Sequence, residues 1–224
     1  MVATIFVRRV IPAYLAAVEL ILVRHALPER KVLSSGAADP ELTDDGHRQS
    51  ELLADYLCTE AIDAIYTSPL RRAVQTAAPL ARRLGLTATV VDDVAEFDRH
   101  ASSYIPLEEL KADGDPRFHD PTSDVWTDAD GRDDFDRRVT GAIDRLIGAH
   151  AGDTIVVVCH GGVINLVLAT VLGIEHDGPG FFYPNYTSIH RVAASRSGVR
   201  SIVTINETSH LRNSGLPMGL FQKG

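Results

Sequence analysis

Apolar runs bounded by turn-forming residues recur along the chain: ELILV at 19–23, AIDAIYTS at 61–68, TATVV at 87–91 and TIVVVCH at 154–160. Each is short and rich in β-branched residues, the signature of a strand buried on both faces. Between them the period changes. Leu52, Leu53, Tyr56 and Leu57 form one stripe at helical spacing, and Phe135, Val139, Ile143, Leu146 and Ile147 form another. Such alternation predicts an α/β fold, a three-layer α/β/α sandwich around a mostly parallel sheet, with ligands at the carboxyl ends of the strands. Towards the end, TSIHRVAA and VRSIVTI are separated by SRSG and read as a hairpin, which adds an antiparallel edge to the sheet. There is no internal repeat and no low-complexity tract.

Two segments depart from this rhythm. The opening MVATIFVRRVIPAYLAAVELILV is largely apolar, but Arg8, Arg9, Pro12 and Glu19 interrupt it before it reaches the roughly 18 apolar residues of a membrane span. Nor does it have the charges-first order of a secretory signal. Residues 1–17 are read as an appended segment, and 18–224 as a single domain. The second departure is 98–133, rich in Pro, Gly and Asp with little apolar periodicity. This reads as an insertion, either a lid or binding loop or a disordered excursion.

Composition narrows the partners. A chain of 224 residues with 45% hydrophobic content can bury a full core. Its formal net charge of −8 argues against a nucleic-acid or anionic membrane surface, which requires a clustered basic footprint. Any anion must therefore be bound locally. Cys58 and Cys159 lie in different predicted elements and form no CxxC pair, which fits reduced residues and a cytoplasmic setting. Oligomeric state cannot be read from the sequence.

Candidate chemistry gathers at the strand exits. Arg24 and His25 follow the first strand, SPLRR (68–72) the second, Glu96 the third, and His160 with Gly161 and Gly162 the fourth. In a parallel sheet these exits share one edge. Guanidinium groups bind phosphate oxygens, and the first amides of a helix opening at Gly161 favour an anion. A neutral imidazole can attack phosphorus, and a carboxylic acid opposite can protonate the departing alkoxide. Zinc ligation is the rival use of histidines, but flanking guanidiniums would repel the ion. No metal and no cofactor is therefore expected.

Four stretches together resemble the histidine phosphatase superfamily, which includes the cofactor-dependent phosphoglycerate mutases and the histidine acid phosphatases. LVRHALPE resembles the family's Arg-His-Gly stretch, and LTDDGHRQSELLADYL (42–57) is similar to its Leu-Thr-x-x-Gly-x-x-Gln helix start. YTSPLRRAVQTA (66–77) resembles the Ser-Pro-Leu-x-Arg-Ala-x-Gln-Thr-Ala helix, and VVVCHGGVI (156–164) the second-histidine motif. The resemblance implies a phosphoglycerate mutase-like fold. It also implies that His25 is phosphorylated during turnover, that Arg24 and Arg72 hold the phosphoryl group, and that His160 completes the pocket. Arg71 falls at the variable position. Glu96 falls in the region of the family's acid, but DDVAEFDRHASSY lacks the usual glycines and tryptophan, so Asp98 is a fallback and His100 a weaker one. Ala26 stands where the family has glycine. The stretch LPERKVLSSGAADPEL differs from the sugar-acid grip of the mutases. The reading is a metal-independent phosphatase of a small phosphomonoester. A phosphomutase and a non-catalytic phospho-ligand module remain as alternatives.

Overall fold

In the run VELILVR every residue but Glu19 is buried, because the strand lies in the middle of a sheet with a core on each side. Leu20 and Leu22 face one core, Ile21 and Val23 the other, as the two-residue period of a strand requires. The computed structural model describes residues 17–119, 131–175, 180–195 and 197–220. Strand β1 (Val18–Arg24) is followed by the short β2 (Lys31–Val32), helix α1 (Asp44–Leu57), β3 (Ala64–Thr67), α2 (Arg71–Leu84) and β4 (Ala88–Val90). Next come β5 (Ser103–Tyr104), α3 (Leu107–Ala112), α4 (Arg132–Ala149), β6 (Thr154–Cys159) and α5 (Gly161–Leu172), then β7 (Ile189–Ala194) and β8 (Arg200–Glu207).

Six strands form one sheet in the order β4-β3-β6-β1-β7-β8. The pairs β1/β6, β3/β6 and β3/β4 are parallel, while β1/β7 and β7/β8 are antiparallel. The expected sandwich and its antiparallel edge are therefore present. Helices α4 and α5 cover one face through Phe135, Val139, Ile143, Leu146 and Ile147 together with Val163, Ile164 and Leu168. Helices α1 and α2 cover the other through Leu53, Leu57, Ala73 and Leu80. Strand β4 departs from the expectation of burial on both faces: Thr89 and Val90 are exposed, because it is an edge strand paired only with β3. Tyr56 likewise points outward, and Leu52 packs instead on Leu211, Leu216 and Met218, which dock the C-terminal segment on α1. Cys159 is buried and Cys58 partly exposed, and both are free thiols.

Of the two irregular segments, residues 1–16 lie outside the described residues. In the second, residues 97–119 form short elements, and 120–130 lie outside the described residues. Strand β5 pairs with β2, placing Tyr104 opposite Lys31. The stretch after the first motif thus anchors the insertion beside the sheet edge. Among the described residues no helix is long and apolar enough to cross a membrane.

Candidate active site

Strand register brings the two histidines together. Arg24 pairs with Cys159 across β1 and β6, and Thr67 with Val158 across β3 and β6. The next residues, His25 and His160, therefore leave adjacent strands at one level, and Ser68 leaves β3 opposite Cys159, one residue lower. Backbone bonds continue the ladder, with His25 N–H donating to Cys159 O at 2.9 Å and Ser68 N–H to Val158 O at 3.0 Å. The imidazole centroids lie 5.2 Å apart.

His25 is buried, and its Nδ1 lies 2.8 Å from the carbonyl oxygen of its neighbour Ala26. A carbonyl only accepts, so Nδ1 carries the proton and Nε2 keeps its lone pair. Burial, then the charges of Arg72 and Arg24, hold the ring well below the usual histidine range, so it is neutral at physiological pH. The loop that carries it is gripped from behind by residues of the second and third motifs. Ala26 N–H donates to Thr76 Oγ1 at 2.9 Å, Leu27 N–H to Gln49 Oε1 at 2.8 Å, and Thr43 Oγ1 to Leu27 O at 3.2 Å. A Cβ on Gly46 would overlap the Leu27 carbonyl oxygen, which explains the glycine at the start of α1. Ala26 is fully buried, and no residue in this loop has positive φ. The alanine methyl is thus accommodated without backbone strain.

Both guanidiniums are buried. Arg24 donates through Nη1 to Pro184 O at 2.6 Å and stacks over the Tyr186 ring at 4.4 Å. Arg72, at the first turn of α2, donates through Nη2 to both Asp98 oxygens at 2.7 and 2.9 Å and lies 4.6 Å from the Tyr104 ring centroid. Among the described residues no carboxylate pairs with Arg24, so the cluster keeps a net positive charge. Arg24 Nε, Arg72 Nε and His160 Nδ1 are buried without a hydrogen-bond partner among the described residues. An orphaned buried donor costs roughly 1–3 kcal/mol, which an anion's oxygens can recover.

Glu96 faces this cluster. Its carboxylate accepts from Gly162 N–H at 2.8 Å and Phe97 N–H at 3.2 Å. Burial raises its pKa to about 7 with help from the Asp98 charge, outweighing the two amides and Arg72, which pull it down. Gly162 permits the approach, since a Cβ there would overlap Oε1 and stand 3.0 Å from the Phe97 ring.

A cavity of about 310 Å³ opens on these groups, lined at this end by Arg24, His25, Arg72, Glu96, Asp98, Tyr104, Gly161 and Gly162. Of the residues the sequence nominates, His160 lies behind the lining, held by a 2.7 Å bond between Nε2 and Ser68 Oγ. His100 is exposed and is not among the lining residues. Arg71 is exposed and pairs with Glu41. Sequence reasoning missed Tyr104 and Tyr186, whose rings sit against the two arginines, and Arg138. From α4, Arg138 donates to the carbonyls of Asp93, Ala95 and Glu96 at 3.0, 2.6 and 3.4 Å and so fixes the acid's backbone. A buried arginine on the apolar stripe of α4, one residue before Val139, was the available signal. Nothing local marked Tyr104. Among the described residues no group of three or more His, Cys, Asp or Glu is arranged to hold a metal ion.

The sequence matches the histidine phosphatase superfamily (branch 1) over residues 20–208. The chain belongs to that superfamily. Relatives of the chain include phosphoserine phosphatase 1 of Hydrogenobacter thermophilus, 30% identical over 203 residues that span 87% of this chain and 94% of the relative. The bifunctional protein Rv2228c of Mycobacterium tuberculosis is 32% identical over 202 residues, 86% of this chain and 54% of that protein. The chain thus spans about half the length of its mycobacterial relatives. A mutant phosphoserine phosphatase of Entamoeba histolytica, solved with phosphoserine, aligns over 87% of this chain and 99% of its own, with a TM-score of 0.66 at 25% identity. The phosphoglycerate mutase-like fold expected for a histidine phosphatase is the one observed.

Proposed function

We propose that this protein is a phosphatase that hydrolyses a small phosphomonoester, without a metal, through a phosphohistidine on His25. The observation that carries the reading is the state of His25: Nδ1 is committed to Ala26 O, the ring is held neutral by burial and two arginines, and Nε2 retains its lone pair. In this reading Arg24, Arg72 and His160 hold the phosphoryl oxygens, with the Gly161 amide at the start of α5 adding its dipole. Ser68 Oγ accepts from Leu70 N–H and bonds His160 Nε2 at 2.7 Å; in this reading the hydroxyl donates to Nε2, and His160, directly behind the lining, offers its Nδ1 proton to a phosphoryl oxygen. Charge neutralisation and alignment supply most of the rate.

Chemistry proceeds in two displacements. His25 Nε2 attacks phosphorus, the P–O ester bond breaks, and protonated Glu96 gives its proton to the leaving oxygen. Glu96, now a carboxylate, takes a proton from water, the water oxygen attacks phosphorus, and the P–N bond breaks to release phosphate and restore both groups. A pKa of about 7 suits both halves of this cycle near neutral pH. Asp98 already neutralises Arg72, which favours Glu96 over it as the acid. An acid in place, with a pKa poised for proton transfer, also supports catalysis over a silent binding module.

The test is phosphate release from an aryl phosphate in the presence of chelator. Wild-type activity should survive the chelator, and His25→Ala should lose it. Release that requires an added divalent ion, or that persists in His25→Ala, contradicts the reading.

A further inference from the structure

The cavity extends well beyond the phosphoryl end, and its outer walls differ in character from its floor. Phe97, Ile105, Leu107, Phe118, Phe182 and Leu220 line it there. The walls are tied to the fold: the Phe97 ring packs edge-on against Phe135 at 6.2 Å, and Phe182 N–H donates to Asn165 Oδ1 at 2.9 Å. Polar groups among them are already engaged. Asn165 Nδ2 donates to Gly161 O and Phe182 O at 2.9 and 3.0 Å. Beyond the phosphoryl end, the charged side chain among the described lining residues is Arg117. It is held by Asp115, with Nε–Oδ1 at 3.1 Å and Nη2–Oδ2 at 2.7 Å. Ser103, Tyr104 and Tyr183 add uncharged polar atoms, and the Tyr183 hydroxyl accepts from Leu220 N–H at 3.0 Å.

We infer that the leaving-group side of this cavity is an apolar subsite, which selects phosphomonoesters of aliphatic or aromatic alcohols over those of amino acids and sugar acids. The inference rests on the phosphatase reading for its orientation, since Glu96 must face the ester oxygen and the alcohol must then run outward into the part of the cavity lined by Phe97 and Phe182. Against aromatic walls an ammonium on that alcohol would lose its hydration with no carboxylate among the described lining residues there to meet it, and the guanidinium a carboxylate would meet, that of Arg117, is already paired with Asp115. A methylene chain would instead leave water, at about 0.8 kcal/mol for each buried CH₂, or up to about fourfold in affinity.

Non-hydrolysable n-alkylphosphonates, from ethyl to hexyl, separate binding from chemistry. Calorimetric affinity for the wild type should rise about two- to fourfold per methylene. 2-Amino-4-phosphonobutyrate, which carries the amino-acid head of a phosphoserine, should bind at least about tenfold more weakly than butylphosphonate. Phe118→Ser and Phe182→Ser should each flatten the series, weakening hexylphosphonate several-fold more than ethylphosphonate. A flat series in the wild type, or tighter binding of the amino acid than of butylphosphonate, overturns the inference. Phosphate release from hexyl phosphate, wild type beside His25→Ala, reads the phosphatase function separately. A rising phosphonate series without His25-dependent release keeps the subsite and refutes the function. Release of phosphate from phosphoserine in preference to hexyl phosphate does the reverse.

Discussion

His25 and Glu96 are both buried ionisable groups, yet their environments push them in opposite directions for the task. Burial and two guanidiniums keep the imidazole neutral, whereas burial beside Asp98 keeps the carboxyl protonated up to about pH 7. The sign of the pH dependence follows. In the proposed mechanism phosphoryl transfer to His25 needs protonated Glu96, so kcat/KM for an unactivated alkyl ester should fall as pH rises through about 7. Hydrolysis of the phosphoenzyme needs the carboxylate, so that step should slow as pH falls through the same range. Glu96→Gln should lose about 10²- to 10⁴-fold in turnover and lose both limbs, which steady-state and single-turnover profiles will show. Gly162→Ala tests the same group by sterics. The new Cβ overlaps Oε1, so the carboxylate must give up its bond to the Gly162 amide, and kcat should drop at least about tenfold with little change in the melting temperature.

At the scale of elements, the loop after β1 is held by α1 and α2 rather than by its own conformation. Gly46→Ala would force the start of α1 away from the Leu27 carbonyl, and a chemical melt should show a loss of about 1–3 kcal/mol, as for other overpacked sites. Arg138→Met would strip donors from the carbonyls of Asp93, Ala95 and Glu96. It should lower kcat more than it alters KM and displace the pH limb assigned to Glu96, a shift that a purely structural role would not produce. The strands, the helical stripes and the convergence of Arg24, His25, Arg72, Glu96 and His160 were legible because period and strand-exit position are local properties. Edge exposure of β4 was not, since strand order is set by pairing across the chain. The placement of Tyr104 on Arg72 was equally hidden. It depends on β5 finding β2 about 70 residues upstream, a tertiary pairing that no local pattern encodes.

Across the whole molecule, the domain is a sheet whose parallel half supplies the chemistry and whose antiparallel half closes the core. Strand β1 begins at Val18 and the superfamily match at residue 20. A chain lacking residues 1–16 should therefore retain the kcat and pH profile of the full chain. That outcome would support the reading of residues 1–17 as an appended segment. The insertion contributes walls of the cavity, among them Tyr104, Ile105 and Phe118, so on the proposed function it bears on which ester is chosen while the sheet edge fixes what is done to it. The central claim is covalent: phosphate passes through His25. Rapid mixing with a radiolabelled ester near pH 5, where Glu96 is protonated and the second step is slow, followed by an alkaline quench and peptide mapping, tests it directly. The account predicts label on His25 approaching one equivalent per chain, chasing to free phosphate on return to pH 7 and absent from His25→Ala. Phosphate release at an undiminished rate with no label on His25 would contradict it.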